Sequence, residues 1–411
     1  MEEKKRLKVL VAPDDNGGVA YWRMDQPHLK LDQLFSDDID VTINHRVNWA
    51  DTNYLAQFDI VVYHKGLFPD YDSFVQALDF CRNNNITTVM DIDDYWDLGP
   101  WHPQNLHNKA TGGIEKTIYN IKNTDYITTT TELFANDIRK YNKNVKVFPN
   151  APNKDEPQWA PDYSHTDRLR IGYVMGSTHE RDMQQVRGLT NALSDVIDKV
   201  QIVLCGYDIR GTMTIIGPDK QIQGNRPIKP EESVWYKYEQ LVTDNYKVCS
   251  PEYREFLEKF IPNAQYPGVE NQIYRREWTK DLTKFGTHYN NLDVLLVPLD
   301  ANTFNYHKSE LKLVEAGVKH KAVILSNFGP YTIGTRTLFK KGGEIDPEAN
   351  CLLVDPSKAH KDWAKYVKRH IEHPEYVKLL QDNLAKHVEE NYNLDKWTAI
   401  RADFYKSIVK K

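Results

Sequence analysis

Two lysines stand at the head of a short apolar helix in the stretch FNYHKSELKLVEAGVKHKAVILSNFGPY, residues 304–331. Ser309 is the expected N-cap, Leu311, Val314 and Val318 recur at helical spacing, and Gly317 lies close to the end. At roughly 100° per residue, Lys308, Lys312 and Glu315 share one face, while Glu310 points away from it. A helix N-terminus already carries about half a positive charge, so each lysine should weaken the helix by some tenths of a kcal/mol unless an anion sits beside it. A bound phosphate would reverse that sign. The plain alternative is a solvated pair, with Lys312 bonded to Glu315 at i,i+3. Taken alone, the stretch favours the alternative.

Three further loops carry residues suited to chemistry. DDNGGVAYWR puts Gly17 and Gly18 just ahead of a helix, where bare backbone N–H groups could approach a phosphate or a sugar hydroxyl; a glycine pair is also an ordinary tight turn. MDIDDYWDLGPWHP supplies Asp91, Asp93, Asp94 and Asp97, then Trp96, Trp101 and His102. Alternation puts Asp91 and Asp93 on one side of a strand, able to share a cation, bond a sugar or act as a general base, whereas Asp94 points elsewhere. The competing role for such carboxylates is to cap the loop through backbone N–H groups. IGYVMGSTHERD offers a small donor-rich turn, Gly176, Ser177 and Thr178, followed by His179, which can donate to an oxyanion or accept a proton. The same turn also suits ordinary capping, and Asp182 could neutralise Arg181. Together with Lys308 and Lys312, the turn would make a diphosphate cradle.

Such loops need a scaffold that gathers them. The first half of the chain alternates strand and helix: LKVLVAP, a helix over 19–35, FDIVVYHKG, SFVQALDFCRNN, ITTVMDIDD, TDYITTTTELFANDIRKY and VKVFPNAPN. The proline- and acid-rich 151–168 reads as a linker. Alternation then restarts with LRIGYVMG, a helix, VQIVLCG, LDVLLVPL, the 304–331 stretch and CLLVD. Between 207 and 291, where VWYKYEQL and YRREWTKDL occur, no element is assigned, and the chain closes in helical sequence. The class is α/β, with two doubly wound parallel sheets whose ligands should lie beyond the carboxyl ends of the strands.

At 411 residues two domains are expected. The formal net charge of -5 offers no global field for nucleic acid. No apolar run has the length of a membrane span, and MEEKKRLKVLVAP passes from charges straight into a strand without a signal-peptide core, so a cytoplasmic location is expected. Cysteines 81, 205, 249 and 351 lack zinc or redox spacing and are read as buried thiols.

These residues resemble the glycosyltransferases of GT-B fold, of the "glycosyl transferases, group one" type, which use nucleotide sugars and retain anomeric configuration. FNYHKSELKLVEAGVKHKAVILSNFGPY is similar to that family's nucleotide-sugar segment, IGYVMGSTHERD to the first loop of its second domain, VFPNAPN to its hinge, and DIDDYW to the end of the fourth strand in some polysaccharide-building members. The resemblance implies two Rossmann-like domains facing each other across a cleft: an acceptor-side domain over 1–160, and a nucleotide-sugar domain over 168–385 with an irregular insertion at about 208–290. A helical segment over 386–411 would pack back on the first domain.

By the same resemblance, Glu315 holds the donor ribose, Lys308 and Lys312 the diphosphate, and Gly176, Ser177 and Thr178 the phosphate oxygens. Gly329 and Tyr331 border the donor, and Gly17, Gly18, His179, His307 and Ser309 complete the donor-binding set. Asp93, Asp94 and Lys312 are the expected catalytic residues; Asp91, Trp96 and His102 belong to the acceptor side. The family's paired glutamates would require an acid at position 307, where this chain has His307, and the Asp cluster replaces a histidine often expected after the fourth strand. No metal or other cofactor is expected. The partners are a nucleotide-diphosphate sugar and a glycan, lipid-linked or other hydroxyl acceptor, as in polysaccharide or glycoconjugate biosynthesis; modified nucleic acid is not indicated by the charge. A nucleotide-sugar epimerase and a non-catalytic sugar-nucleotide-binding protein are the alternatives.

Overall fold

LKVLVA forms a strand whose alternate residues bury on opposite faces of a sheet. Val9 and Val11 enter one apolar cluster, Leu10 and Ala12 another. The same division holds along FDIVVYHKG, where Ile60 and Val62 join the first cluster and Val61 and Tyr63 the second. A sheet buried on both sides needs such near-continuous apolar strands.

The computed structural model describes residues 6–208, 211–216, 222–243 and 273–410. Two units emerge: Met1–Asp155 with Asn302–Val314 and Glu389–Lys411, and Glu156–Ala301 with Glu315–Val388.

In the first unit, β1 (Leu7–Ala12), β2 (Ile39–Ile43), β3 (Ile60–His64), β4 (Thr87–Ile92), β5 (Tyr126–Thr129) and β6 (Val145–Val147) form a parallel sheet in the order β2-β1-β3-β4-β5-β6. The expected helix over 19–35 is divided: a wide π-helical turn, Ala20–Asp25, passes into an α-helix, Gln26–Phe35. The helix Leu394–Ile408 covers one face of this sheet with Ala402, Tyr405 and Ile408. His28 ties it down, bonding Tyr405 Oη at 2.7 Å and Met24 O at 2.5 Å.

In the second unit, β7 (Leu169–Val174), β8 (Val200–Tyr207), β11 (Tyr274–Trp278), β12 (Val294–Val297), β13 (Ala322–Ser326) and β14 (Leu352–Val354) are parallel, in the order β11-β8-β7-β12-β13-β14. An antiparallel pair, β9 (Thr212–Ile216) and β10 (Ile222–Pro227), lies apart from that sheet. Of the span 208–290 left without elements from sequence, VWYKYEQL lies in a helix, Val234–Thr243, and YRREW is β11; 209–210, 217–221 and 244–272 lie outside the described residues.

The stretch read as a linker is in part tied to the second unit. Lys319, 1 % exposed, donates to Gln158 O at 3.0 Å and Ala160 O at 2.5 Å, and Lys321 bonds Asp162 at 2.7 Å. Proline and acid content gave no hint of this, because the donors come from the middle of the 304–331 stretch, more than 150 residues away. Cys81 and Cys351 are buried free thiols and Cys205 is buried; Cys249 lies outside the described residues. Among the described residues no helix is long and apolar enough to cross a membrane.

Candidate functional site

In an open parallel sheet, ligands bind where the strand order reverses, outside the carboxyl ends. In the first unit that point lies between β1 and β3. Asp14 follows β1, His64 ends β3 with Lys65 behind it, and Asp93 and Asp94 follow β4. His64 Nδ1 lies 2.7 Å from Asp14 Oδ1 and its Nε2 3.0 Å from Asp93 Oδ1, while Lys65 Nζ reaches Asp93 at 3.1 Å and Asp94 at 4.0 Å. Burial opposes charge on the ring, yet the hydrogen bonds to Asp14 and Asp93 outweigh it and raise His64 to about 9. Burial likewise opposes ionisation of Asp93, and Lys65 and His64 overcome it, holding that carboxyl well below its ordinary value. A carboxylate that keeps its charge so firmly is a weak proton acceptor but a strong hydrogen-bond acceptor and electrostatic partner.

The exit from β3 is shaped for this cluster. Lys65 has φ +46° and Gly66 φ +73°, and a Cβ on Gly66 would lie 2.7 Å from the Phe74 ring. Asn120 Nδ2 holds the bend by donating to the carbonyls of Lys65 at 2.9 Å and Gly66 at 3.2 Å. A left-handed lysine is a costly backbone state that persists only where surrounding contacts fix it.

Asp91 and Asp93 take different hydrogen-bond partners. Asp91 is 1 % exposed, and Arg23 from the π-helical turn grips both its oxygens, at 3.0 and 2.8 Å, while Thr128 donates to one of them at 2.7 Å. Arg23 continues to Phe148 O at 2.6 Å and Asn150 Oδ1 at 3.1 Å, and Asn150 Nδ2 donates to Ser309 Oγ at 3.1 Å. Ser309 therefore anchors its segment, one residue short of an N-cap: the helix is Leu311–Val318, and the N–H groups of Leu313 and Val314 return to Glu310 O. Glu310, read as pointing away, is buried with Tyr392 Oη 2.9 Å from Oε1, and burial raises its carboxyl.

His307 is also committed. Its Nε2 lies 2.9 Å from Asp137, its Nδ1 2.7 Å from Thr303 O, and its ring stacks on Tyr95 with centroids 4.5 Å apart. Lys308 and Lys312 are partly exposed, and the Lys308 ammonium sits 4.9 Å from the Phe304 ring centroid. Trp96, 8 % exposed, packs on Tyr95 and Tyr141, and His102 accepts the Gln104 N–H at 3.2 Å. The Gly17 N–H donates to Asp15 Oδ1 at 2.8 Å, so one of the two bare amides expected there is occupied.

In the second unit the order reverses between β7 and β12. Gly176, Ser177 and Thr178 follow β7 and are exposed, and a Cβ on Gly176 would meet nothing within 4 Å. Asp182, not Arg181, organises the edge: it holds His179 Nδ1 at 2.5 Å and accepts the Asp300 N–H at 2.7 Å, while Arg181 pairs with Asp300 at 2.9 Å. Ser326 Oγ accepts the Leu299 N–H at 2.8 Å, joining the exits of β12 and β13. Gly329, at φ +55°, begins the turn that buries Tyr331. Glu315 has no exposed surface, and the Tyr289 hydroxyl donates to its Oε2 at 2.5 Å.

Solved structures share this chain's fold over nearly its whole length. HepE of Anabaena in complex with UDP matches with a TM-score of 0.61 at 11% identity, covering 98% of this chain and 100% of its own. Sucrose-phosphate synthase from Thermosynechococcus elongatus matches at 0.60 and 13% identity, over 98% and 99% of the two chains. A glycosyltransferase from Rickettsia africae gives 0.58 at 11%, over 99% and 100%. The fold is GT-B. No family model matches the chain, and no curated protein does. The GT-B scaffold thus survives here at an identity where residue roles do not transfer by alignment and must be argued from the geometry.

Sequence reasoning singled out Asp93 and Asp94 but missed Asp14, His64, Lys65 and Arg23. The available signal was HKG directly after the apolar run IVVY and DD directly after LKVLVAP. What the sequence withheld was which strands flank the reversal.

Proposed function

We propose that the chain is a glycosyltransferase that moves a sugar from a nucleotide-diphosphate sugar to an acceptor hydroxyl with retention of configuration. The observation that carries this reading is the exposed Gly176–Thr178 turn at the order reversal of the second sheet, on a fold shared with HepE, which has been solved with UDP and with UDP-glucose. Backbone donors of that turn bind phosphate oxygens and Lys308 and Lys312 meet the diphosphate charge; for Glu315, which has no exposed surface, to reach the ribose its bond from Tyr289 has to open. Breaking the bond from sugar to phosphate leaves negative charge on the leaving group. Fixed cations and donors stabilise that charge more in the transition state than in the ground state. No metal is needed in this reading, since the lysines and backbone amides supply the positive field. On the acceptor side, Asp93, kept ionised by Lys65 and His64, accepts a hydrogen bond from the attacking hydroxyl and orients it. Acceptors are a glycan, a lipid-linked glycan or another hydroxyl compound, and the location is cytoplasmic.

A non-catalytic sugar-nucleotide-binding protein is the second reading. His307 favours it: the position where the family carries an acid is filled by a ring committed to Asp137. Incubation with a panel of nucleotide sugars, read by mass spectrometry, separates the possibilities. Slow release of free sugar supports transfer, an isomerised donor supports an epimerase, and saturable binding without turnover supports the second reading.

A further inference from the structure

A cavity of about 390 Å³ opens at the opposite edge of the second sheet, at the amino ends of the neighbouring strands β8, β7 and β12. Arg168, Lys199 and Asp293 line it from the positions just before those strands begin. Pro374, Val377 and Lys378 line it from the first turns of the 18-residue helix Pro374–Asn391. The six residues of β7, at about 3.3 Å each, separate it from the Gly176–Thr178 turn by roughly 20 Å.

His370 is the feature that calls for a ligand. It lines the cavity, is 1 % exposed, and neither ring nitrogen has a hydrogen-bond partner among the described residues. Burial lowers it to about 4, so at neutral pH the ring offers one N–H donor and one bare acceptor. Buried polar atoms are rarely left unpaired, and a hydroxyl, which both donates and accepts, complements either nitrogen. Apolar surface from Leu169, Val377 and Pro374 leaves room for a carbon skeleton beside it.

The charge around the cavity is biased. The Asp293 carboxylate is taken by Arg170, at 2.7 and 3.2 Å, and Lys378 pairs with Asp382 at 3.2 Å. Arg168 spends one amino group on the carbonyls of Ile197 and Val200 and keeps its full charge, and Lys199 is exposed. Against these two cations stands the exposed carboxylate of Asp167. The positive end of the long helix dipole adds to them, and the negative end of the helix Ala359–Glu372, whose last turn carries His370, and Glu375 in the first turn of the long helix subtract.

We propose that this cavity is a second ligand site, for a small hydroxyl-bearing anion of which a phosphate monoester is the simplest kind. His370 bonds a hydroxyl, and Arg168, Lys199 and the helix N-terminus hold the anionic group. The site stands apart from the donor site and does not depend on the chain being a transferase.

The full-length protein labelled with ¹⁵N-histidine, titrated with glycerol 3-phosphate, tests it. The ring signals absent from His370→Phe should shift saturably, and Lys199→Gln, a surface change that leaves the core intact, should weaken that binding about tenfold. Orthophosphate should compete, neutral glycerol should not bind at comparable concentration, and saturating nucleotide should leave the shift in place. Immobile His370 signals, equal binding by glycerol, undiminished affinity in Lys199→Gln, or loss of the shift when nucleotide is added would each overturn the proposal.

Discussion

His64 and Asp93 hold opposite charges where neither would be stable alone. The raised value of His64 fixes a sign: its contribution is fully present below pH 6.5 and is lost as pH rises through about 9. A rise of that size is worth on the order of 3 kcal/mol. Wild type should therefore exceed His64→Gln in stability most at pH 6, and the gap should close by pH 10, as read by urea unfolding at each pH. For the nucleotide, Lys312→Ala and Glu315→Ala should each weaken affinity by about 1 to 3 kcal/mol, measured by calorimetric titration. The two variants differ in a second respect. Glu315→Ala strips the buried Tyr289 hydroxyl of the carboxylate it donates to, so its melting temperature should fall, whereas that of the partly exposed Lys312→Ala should hold. Unchanged affinity in both would leave Lys312 as a surface cation and Glu315 as a buried partner of Tyr289, with no part in nucleotide binding.

The helix Leu394–Ile408 depends on a histidine that must stay neutral. Burial, then the Arg401 charge, lower His28 to about 3, while the unfolded chain takes up a proton near pH 6.5. Stability from this group is thus complete above pH 6.5 and lost as pH falls, by roughly 2 to 3 kcal/mol at pH 4.5. Between those two values the backbone amides of Leu394–Ile408 should lose hydrogen-exchange protection faster in wild type than in His28→Gln. The π-helical turn beside it serves a different end. Its Arg23 fills the space under β4, and the chain Asp91, Arg23, Asn150, Ser309 fixes the start of the segment that carries Lys308 and Lys312. Such wide turns are frequent at functional sites.

Neither unit is continuous in the chain, because the first takes back Asn302–Val314 and Glu389–Lys411 after the second has begun. Deleting 389–411 would uncover Val9, Val11, Ile60 and Val62, so the shortened chain should bind an apolar dye and precipitate on concentration, while a chain cut only at Lys411 should not. The two alternating sheets and the acid cluster after β4 were legible from residue order, because strand burial and helix amphipathicity repeat every few residues. The paired cations at the edge of the first sheet were not. His64 lies 50 residues from Asp14 and 29 from Asp93, and only strand order brings them within hydrogen-bonding distance. The commitments of Asp91, His307 and Glu315, and the docking of the 151–168 stretch, were likewise decided by partners remote in the chain. Local periodicity determines which segments bury, since that information lies within a turn or two; which polar groups meet is decided by packing, since a charge can be paired by any residue that the fold carries to it.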